Sequence, residues 1–423
     1  MLHKEPGNLD DNVPASNKKP STNDLQFLWL CTIIVLMDVV YLNRTSRVLT
    51  GHLWVFSNEL ATSLKGYEPG SIVELRDKRE HFLGIGYINP HSLIAVRILT
   101  REREEINHNF IKRRILDALE YRRRFPGETD SFRVVNSEGD YIPGLIVDRY
   151  GSCLSLQFLT LGMESMSEAV MEVLDEIFSP STIVLRNDST VRLLEGLQLE
   201  KKVIKGSLDT LPVIREGSLF FEVDPLRGQK TGFFLDQREN RSAFTTLVTG
   251  GEGLDLFCYT GAWGIRLAES GACVRGIDDS DYAIAQAGRN AAMNNLSGRC
   301  SFEKANVLRF LEREGAEGRR YDFIVLDPPA FVKSKVKVKE GMKGYREINS
   351  LATGLLKKGG LLATSSCSYH IDRVMFIDIV RSAARDAGRQ ARLIEVRSQA
   401  KDHPVLLSMP ETGYLTCAFL EVR

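Results

Sequence analysis

The chain has 423 residues, enough for two or three domains at about 100 to 200 residues each. Its 43% hydrophobic and 26% charged residues exclude a disordered chain and a protein built of many membrane spans. The 55 Lys and Arg residues balance 55 Asp and Glu residues, so any affinity for nucleic acid must come from local clusters of positive charge. The seven cysteines are scattered without a C-x-x-C pair, which argues against disulfides or a zinc site and predicts a cytoplasmic protein.

Residues 1–37 divide into a polar tail and an apolar extension. Residues 1–24 have the composition of a solvated tail. Residues 25–37 are apolar, but a membrane span needs about 20 such residues, and a longer run would place Asp38 inside it. We therefore expect no membrane anchor, and we predict that the natural start is Met37.

The next two segments predict two small domains. Residues 38–107 contain short apolar stretches broken by turn residues (VVYL, HLWVF, GSIVELRD, FLGIGYINP, SLIAVRIL), which predict a small β-barrel. Residues 108–212 begin with a helical pattern over 109–125 that Pro126 and Gly127 end. Strand patterns FRVVN, GLIVDRY, CLSLQFL and TIVLRND follow, with a helix near 166–177, and they predict an α+β domain.

In residues 213–423 strand and helix patterns alternate from Gly251 onward. The strand patterns are LDLFC, VRGID, FIVLDPP and GLLATSSC, and helices are expected from Gly264, over 282–294 and from Tyr345. This succession predicts an α/β domain with a parallel, doubly wound, Rossmann-like sheet.

The loop after the first strand of that sheet, residues 257–264, is a candidate cofactor site, because ligands bind at the carboxyl ends of such strands. Gly261 and Gly264 let the backbone approach a ligand, and Asp278 at the next strand end can accept hydrogen bonds from both hydroxyls of a ribose. A G-x-G-x-x-G motif is missing, which favours S-adenosylmethionine over a dinucleotide. Tight packing of any βαβ unit would also require such residues, so the pattern alone leaves both interpretations open.

Two later strand ends carry reactive groups. Asp327 precedes two prolines that rigidify its turn, and its carboxylate can hydrogen-bond a nucleobase. Cys367 ends the next strand in TSSCSYH, a suitable place for a nucleophile, whereas we expect Cys258, Cys273 and Cys417 to be inert. A free thiol with a pKa of about 8.5 is only a few per cent ionised at neutral pH, so we expect the bound base or His370 to activate Cys367.

Five stretches together closely resemble the bacterial ribosomal RNA large-subunit methyltransferase I family, whose members make 5-methylcytosine in 23S rRNA. They are QKTGFFLDQRENR (229–241), LDLFCYTGAWG, VLDPPAFVKSK, TSSCSYH and DHPVLLSMPETGYL. The resemblance covers roughly residues 39–423. It implies a PUA-like RNA-binding domain at 38–107, a central α+β domain at 108–212 and a class I S-adenosylmethionine-dependent methyltransferase domain at 213–423.

The resemblance also assigns site residues. It places the catalytic cysteine on Cys367 and a catalytic carboxylate on Asp327, and it implies S-adenosyl-L-methionine as cofactor. The expected cofactor-binding residues are Asp255, Phe257, Tyr259, Thr260, Gly261, Asp278, Asn306 and Asp327. Asn306 stands where the family usually carries an acidic residue near the adenine.

A basic segment follows the Asp327 motif. It contains Lys333, Lys335, Lys337, Lys339, Lys343 and Arg346. A charge run is usually a solvated face, but its place beside the reactive strand end favours contact with RNA phosphates. We assign Phe331, Lys333, Lys335, Lys337 and Arg346 to the RNA, while a second cluster at 112–114 and 122–124 stays ambiguous because acidic residues lie close to it.

The expected function is therefore methylation of carbon 5 of a cytosine in 23S ribosomal RNA or a large-subunit precursor, and a homodimer stays open. A 5-methyluridine or amino-group methyltransferase is the alternative. The amino-group enzyme would favour an aromatic residue directly after the two prolines, where this chain has Ala330. A non-catalytic RNA-binding assembly factor could dispense with the residues at the strand ends, all of which are present.

Overall fold

The structure is a computed structural model, and it describes residues 37–125, 127–332 and 335–423. The predicted polar tail and all but the last residue of the apolar extension lie outside these residues. Residues Val39–Arg423 form one unit by their internal contacts. Within the described residues, no helix is long and apolar enough to cross a membrane.

The amino-terminal part is a five-stranded sheet in the order β1-β3-β4-β5-β2. Its elements are β1 (Asp38–Leu42), α1 (Ser46–Leu49), β2 (Trp54–Phe56), β3 (Ile72–Asp77), β4 (Phe82–Ile88) and β5 (Ile94–Thr100). Every predicted strand of this segment is present, and β4 and β5 are buried at all positions but their first, which fits their nearly continuous apolar sequences.

The second sheet has the order β10-β9-β8-β7-β6. Its elements are α2 (His108–Arg123), β6 (Ser131–Asn136), β7 (Leu145–Tyr150), β8 (Cys153–Phe158), α3 (Leu161–Ser165), α4 (Ser167–Phe178), β9 (Thr182–Asn187) and β10 (Glu200–Lys205). Helix α2 begins at Asn107, whose side chain accepts a hydrogen bond from the Phe110 backbone N–H at 3.1 Å. Strand β10 was not predicted, because its lysine-rich sequence carries a weak apolar pattern.

A third sheet of seven strands follows the hairpin of β11 (Val213–Glu216) and β12 (Leu219–Glu222) and helix α5 (Arg238–Thr245). Its strands are β13 (Glu252–Leu256), β14 (Cys273–Asp278), β15 (Cys300–Lys304), β16 (Tyr321–Leu326), β17 (Leu356–Ser366), β18 (Ala391–Arg397) and β19 (Thr416–Val422). Its helices are α6 (Ala262–Glu269), α7 (Asp281–Met293), α8 (Val307–Ala316), α9 (Val338–Gly354) and α10 (Arg373–Asp386).

The strand order of the third sheet is β15-β14-β13-β16-β17-β19-β18. Strands β13 to β17 pair in parallel, whereas β19 pairs antiparallel with both β17 and β18. The order reverses between β13 and β16, which makes their carboxyl ends the expected ligand site. Helix α9 begins at Val338, seven residues before the predicted start, and it includes Lys339 and Lys343 of the basic segment.

The second and third sheets are joined through buried polar contacts of the segment after β12. The Tyr150 and Thr231 hydroxyls lie 2.9 Å apart, and Thr231 donates to the Asp148 carboxylate. Tyr150 also accepts from the Phe233 backbone N–H at 3.2 Å. Strand β7, which carries Asp148 and Tyr150, therefore holds this segment in place. The three sheets lie within the three predicted domains, whose exact boundaries stay a prediction.

Candidate active site

A cavity of about 310 Å³ opens at the carboxyl ends of β13, β14 and β16. Four segments supply most of its lining, from within residues 229–241, 257–263, 278–279 and 327–330. Cys367 and Leu415 complete the wall. The structure thus brings together the cofactor loop, Asp327 and Cys367, which the sequence analysis assigned to one site.

The loop after β13 has an unusual backbone. Phe257, Tyr259 and Gly261 have positive φ angles of 62°, 48° and 82°. At Gly261 the glycine is required by packing as well, because an added Cβ would lie 2.9 Å from the ring of Phe302. Phe257, Tyr259 and Thr260 line the cavity, as predicted from the sequence.

Asp278 ends β14 and also lines the cavity. Its Oδ2 accepts from the Tyr259 backbone N–H at 2.9 Å and its Oδ1 from the Ser280 N–H at 3.0 Å. Burial raises the pKa of this carboxyl above its ordinary value. A carboxylate has about four lone-pair positions, so Asp278 retains the capacity to accept from ribose hydroxyls.

Asp255 lies beneath the loop and does not line the cavity. Its Oδ2 accepts from the Gly264 backbone N–H at 2.8 Å, which fixes the first turn of α6. Burial raises the pKa of Asp255 to about 7, and the charge of Asp327 adds to that effect. Its Oδ1 and the Thr260 Oγ1 are buried polar atoms without a partner among the described residues. Thr260 lines the cavity, so its unpartnered hydroxyl oxygen fits a site that a polar cofactor completes.

Asp327 follows the last residue of β16, at the centre of the sheet edge. The Gln237 side chain donates to both of its oxygens at 3.0 Å, and the Trp263 indole N–H donates to Oδ2 at 3.3 Å. Burial raises the pKa of Asp327 to about 6, and the charge of Asp236 raises it further, against the lowering effect of Lys230. Near neutral pH this carboxyl is therefore able both to accept and to donate a proton.

Cys367 follows the end of β17 and is partly exposed to the cavity. Burial raises the pKa of its thiol to about 11, Lys230 lowers it, and the charges of Asp327 and Asp236 raise it. The His370 ring packs against Tyr369 at 5.1 Å, and its expected part in activating Cys367 stays a prediction. The cation that acts on this thiol is Lys230.

Sequence reasoning missed the group that positions Lys230. Its Nζ donates to the Asp236 Oδ2 at 2.7 Å, and the Tyr414 hydroxyl donates to the same oxygen at 2.7 Å. The Nζ also lies 4.5 Å from the centroid of the Phe234 ring. Burial by itself would raise the pKa of Asp236, but the charge of Lys230 and that of His403 hold it well below the ordinary value. These residues lie in QKTGFFLDQRENR and PETGYL, where the family resemblance was the available signal.

Asn306 and Phe331 lie outside the cavity lining, as Asp255 and Gly261 also do. Asn306 is exposed and caps α8, accepting from the Arg309 backbone N–H at 3.2 Å. Phe331 packs its ring against Tyr345 at 4.6 Å. The structure does not bring either residue to the cavity wall, and their roles stay predictions.

The predicted RNA residues are placed in different surroundings. Lys333 lies outside the described residues, and Lys335 begins a short 3-10 turn that ends at the exposed Lys337. Arg346 pairs with Asp386, with one guanidinium nitrogen 2.6 Å from Oδ1. The contribution of this segment to RNA binding stays a prediction.

The ambiguous second cluster is largely paired with acidic groups. Lys112 pairs with Glu176 at 2.7 Å, and Arg113 pairs with Glu104. Arg122 is buried and donates to both oxygens of Asp140, at 2.6 and 2.7 Å. Most cationic side chains of this cluster are therefore already paired with carboxylates of the protein.

Two protein families match the chain. A PUA-like domain matches residues 42–101, and the family described as S-adenosylmethionine-dependent methyltransferase matches residues 186–397. Both matches confirm the predicted fold class and cofactor. Residues 42–101 and 186–397 contain, respectively, most of the first sheet and most of the third.

Two curated relatives cover nearly the whole chain. "Ribosomal RNA large subunit methyltransferase I" of Shewanella amazonensis is 38% identical over 372 residues, covering 86% of this chain and 93% of the relative. The protein with the same description in Pseudoalteromonas atlantica is 35% identical over 378 residues, covering 88% and 95%.

Solved structures share the whole architecture. An S-adenosylmethionine-dependent methyltransferase from Streptococcus mutans has a TM-score of 0.77 at 18% identity, covering 91% of this chain and 100% of its own. The methyltransferase SMU.776, solved in complex with SAH, has a TM-score of 0.78 at 17% identity and covers 91% and 99%. At this identity the likeness concerns the fold alone.

Proposed function

Since the chain belongs to the ribosomal RNA large subunit methyltransferase I family, we propose that it methylates carbon 5 of a cytosine in 23S rRNA through a covalent adduct at Cys367. The observation that supports this proposal is the shared cavity of Cys367, Asp327 and the cofactor loop. A nucleophile, a proton donor and a methyl donor must all reach one base. Cys367, Asp327 and the cofactor loop line the same cavity, so one base in that cavity could contact all three.

The cofactor is held by the loop after β13. S-adenosylmethionine, when bound, supplies an electrophilic methyl group. Asp278 would accept hydrogen bonds from the ribose hydroxyls, and Phe257 and Tyr259, which also line the cavity, would hold the adenosine. Asp255 fixes the start of α6 through Gly264 and so holds the loop in its conformation.

Cys367 supplies the nucleophile because carbon 5 of cytosine is too weakly nucleophilic to attack a methyl group unaided. The thiolate adds to carbon 6, and the electron pair of the 5,6 double bond moves to carbon 5, which accepts the methyl group. Loss of the carbon-5 proton to a base then restores the double bond and expels the thiolate. Covalent catalysis divides one difficult step into two easier ones.

Asp327 controls the charge that develops on the ring. In its protonated form it donates to N3 as Cys367 adds, and it recovers this proton when the thiolate leaves. The raised pKa of about 6 keeps a usable fraction protonated near neutral pH. Gln237 and Trp263 hold the carboxyl in place for this transfer.

The substrate is 23S rRNA or a large-subunit precursor, with the basic segment from Lys333 to Arg346 contacting its phosphates. A cytosine inside a helix would have to be flipped out to reach Cys367, so an unpaired or splayed base is the expected target. The pairing of Arg346 with Asp386 leaves the lysines as the main cations of this segment.

Nucleoside mass spectrometry of 23S rRNA tests the proposal, because it reports both the base and the methylated atom. RNA from cells lacking the gene should lose one 5-methylcytosine, and the purified protein should restore it. Restoration by the wild-type protein but not by Cys367→Ala supports the adduct. Appearance of 5-methyluridine or an N-methylated base instead would replace the proposal with one of the alternatives.

A further inference from the structure

A second cleft, of about 390 Å³, is lined in part by residues that follow the active-site lining in sequence. Gln237 lines the active-site cavity, whereas the next two residues, Arg238 and Glu239, line this cleft. Its other walls come from the end of α2, from β6 and β7, from Phe178 at the end of α4 and from Lys401. We call it the arginine cleft.

Positive charge predominates in the arginine cleft. Its charged lining residues are five cations and two carboxylates: Arg122, Arg123, Arg149, Arg238, Lys401, Glu239 and Asp402. Arg122 pairs with Asp140 and Arg238 with Asp402, so these two guanidinium groups are structural. The remaining cations are the ones available to a ligand.

Three cations are weakly held. Arg149 forms no ion pair with any described residue, and its Nε donates only to the Gly151 carbonyl at 2.8 Å. Arg123 pairs with Glu120 at 3.2 Å, but both side chains are largely exposed, and such surface pairs contribute little. The Lys401 ammonium lies 4.0 Å from Glu239, the outer limit for an ion pair.

Phenylalanine rings lie beside these cations. The Arg149 guanidinium lies 6.0 Å from the Phe132 ring and 5.5 Å from the Phe178 ring. The Lys401 ammonium lies 5.4 Å from the Phe125 ring, whose residue is 39% exposed. Partly exposed rings next to weakly held cations match a ligand that has both a flat apolar face and a negative charge. A nucleotide has both.

We propose that the arginine cleft binds a nucleotide of the RNA substrate that flanks the target base. Its phosphate contacts Arg123, Arg149 and Lys401, and its base packs against Phe125 or Phe178. Gln237 and Arg238 are consecutive residues with Cα atoms about 3.8 Å apart, and this closeness is the reason for assigning the cleft to a nucleotide near the target base. This inference rests on the proposed RNA substrate, and it adds a contact that neither the PUA-like domain nor the basic segment supplies.

The double variant Arg123→Ala/Lys401→Ala tests the cleft, because both side chains are exposed and their removal leaves the fold intact. Binding of transcribed 23S rRNA is measured by fluorescence anisotropy over a range of salt concentrations. We expect affinity to fall by about tenfold and the slope of log affinity against log salt to decrease by about 0.7 for each phosphate that the variant no longer neutralises. The single variant Arg149→Gln should act in the same direction.

The matched control is Arg381→Ala/Arg392→Ala, which also removes two exposed positive charges, with side chains that are 77% and 62% exposed. It should bind RNA as the wild type does. Equal salt slopes for the cleft variant and this control would overturn the proposal, as would wild-type RNA binding by Arg149→Gln and by the cleft variant.

A second measurement places the bound nucleotide. Photoreactive p-benzoylphenylalanine in place of Phe125 should crosslink to 23S rRNA near the methylated base, and crosslinks confined to distant RNA would overturn the assignment. A different methylated base would refute the proposed chemistry while leaving these binding results unchanged, so failure of either proposal is recognised separately.

Discussion

Gln237 donates through its Nε2 to both carboxylate oxygens of Asp327, at 3.0 Å each. The orientation of this amide is fixed, because Asn240 donates to the Gln237 Oε1 at 2.7 Å. Arg397 in turn donates to the Asn240 Oδ1 at 3.0 Å. A chain of donors from β18 therefore determines how the central carboxyl of the site is presented to a base.

Replacing Cys367 by alanine should abolish methylation and adduct formation together. RNA with 5-fluorocytosine at the target should trap the wild-type protein, because fluorine cannot leave carbon 5 as a proton. The trapped complex is measured as a band that survives denaturing electrophoresis. Cys273→Ala, which removes an exposed cysteine outside the cavity lining, is the matched control and should still be trapped. Methylation by Cys367→Ala at a comparable rate would show that the cysteine is structural.

Replacing Lys230 by methionine should raise the pKa of the Cys367 thiol, because the ammonium group is the cation that lowers it. At neutral pH we expect kcat to fall by about tenfold or more, and the pH at which the rate is half-maximal to move upward. The rate of iodoacetamide alkylation against pH measures the thiol directly. Lys357→Met, which removes an ammonium paired with Asp322 away from the cavity, is the control. An unchanged alkylation profile would contradict the assignment.

Replacing Asp327 by asparagine should lower kcat by about 10² while leaving the affinity for S-adenosylmethionine similar, since the amide can still donate a hydrogen bond to N3 but has no proton to transfer to it. In the wild type the raised pKa of about 6 means that the protonated fraction grows from about a tenth at pH 7 to about a half at pH 6. The thiolate requirement of Cys367 has the opposite pH dependence, so single-turnover rates should pass through a maximum. In the variant, the part of the pH profile that depends on protonation of residue 327 should disappear from the single-turnover rate. Retention of the wild-type pH profile would exclude Asp327 as the proton donor.

Replacing Arg122 by methionine should strongly destabilise the protein, because the Asp140 carboxylate would stay buried without its cation. Breaking one partner of a buried ion pair costs about 3 to 5 kcal/mol. Thermal unfolding followed by circular dichroism measures the effect as a lower midpoint. The neighbouring Arg123→Met, on an exposed side chain, should change stability by no more than about 0.5 kcal/mol. Equal midpoints for the two variants would refute this account.

Residues at strand ends could be predicted because an apolar strand pattern precedes each of them. Asp278, Asp327 and Cys367 each follow such a run, and the parallel order of strands brings the run ends to one edge. The Gln237 and Lys230 contacts could not be predicted in this way. They depend on where the segment after β12 lies against β16 and β17, far away in sequence, and no periodic pattern encodes that placement. The family resemblance marked the segment without giving its geometry.

Strands β18 and β19 were missed for a related reason. These two strands come last in the sequence, and the chain order alone would place β19 at the edge of the sheet. In the structure β19 lies between β17 and β18 and pairs antiparallel with both. Strand β18 is also largely exposed, so its side chains give a weak apolar pattern. The position of an inserted antiparallel strand in a sheet depends on the strands it pairs with, which are distant in sequence. The alternation of helix and strand patterns along the chain does not predict these pairings.

The hydrogen bonds between strand β7 and the segment around Thr231, in which Asp148 and Tyr150 accept, make the second sheet a support of the proposed active site. Lys230 immediately precedes Thr231, so the direction of its ammonium group, and with it the acidity of the Cys367 thiol, depends on strand β7. A methyltransferase domain expressed from residue 213 onward would keep every reactive side chain. It would lose the contacts with β7 that orient Lys230. The second domain is therefore expected to be needed for the full activity of the third.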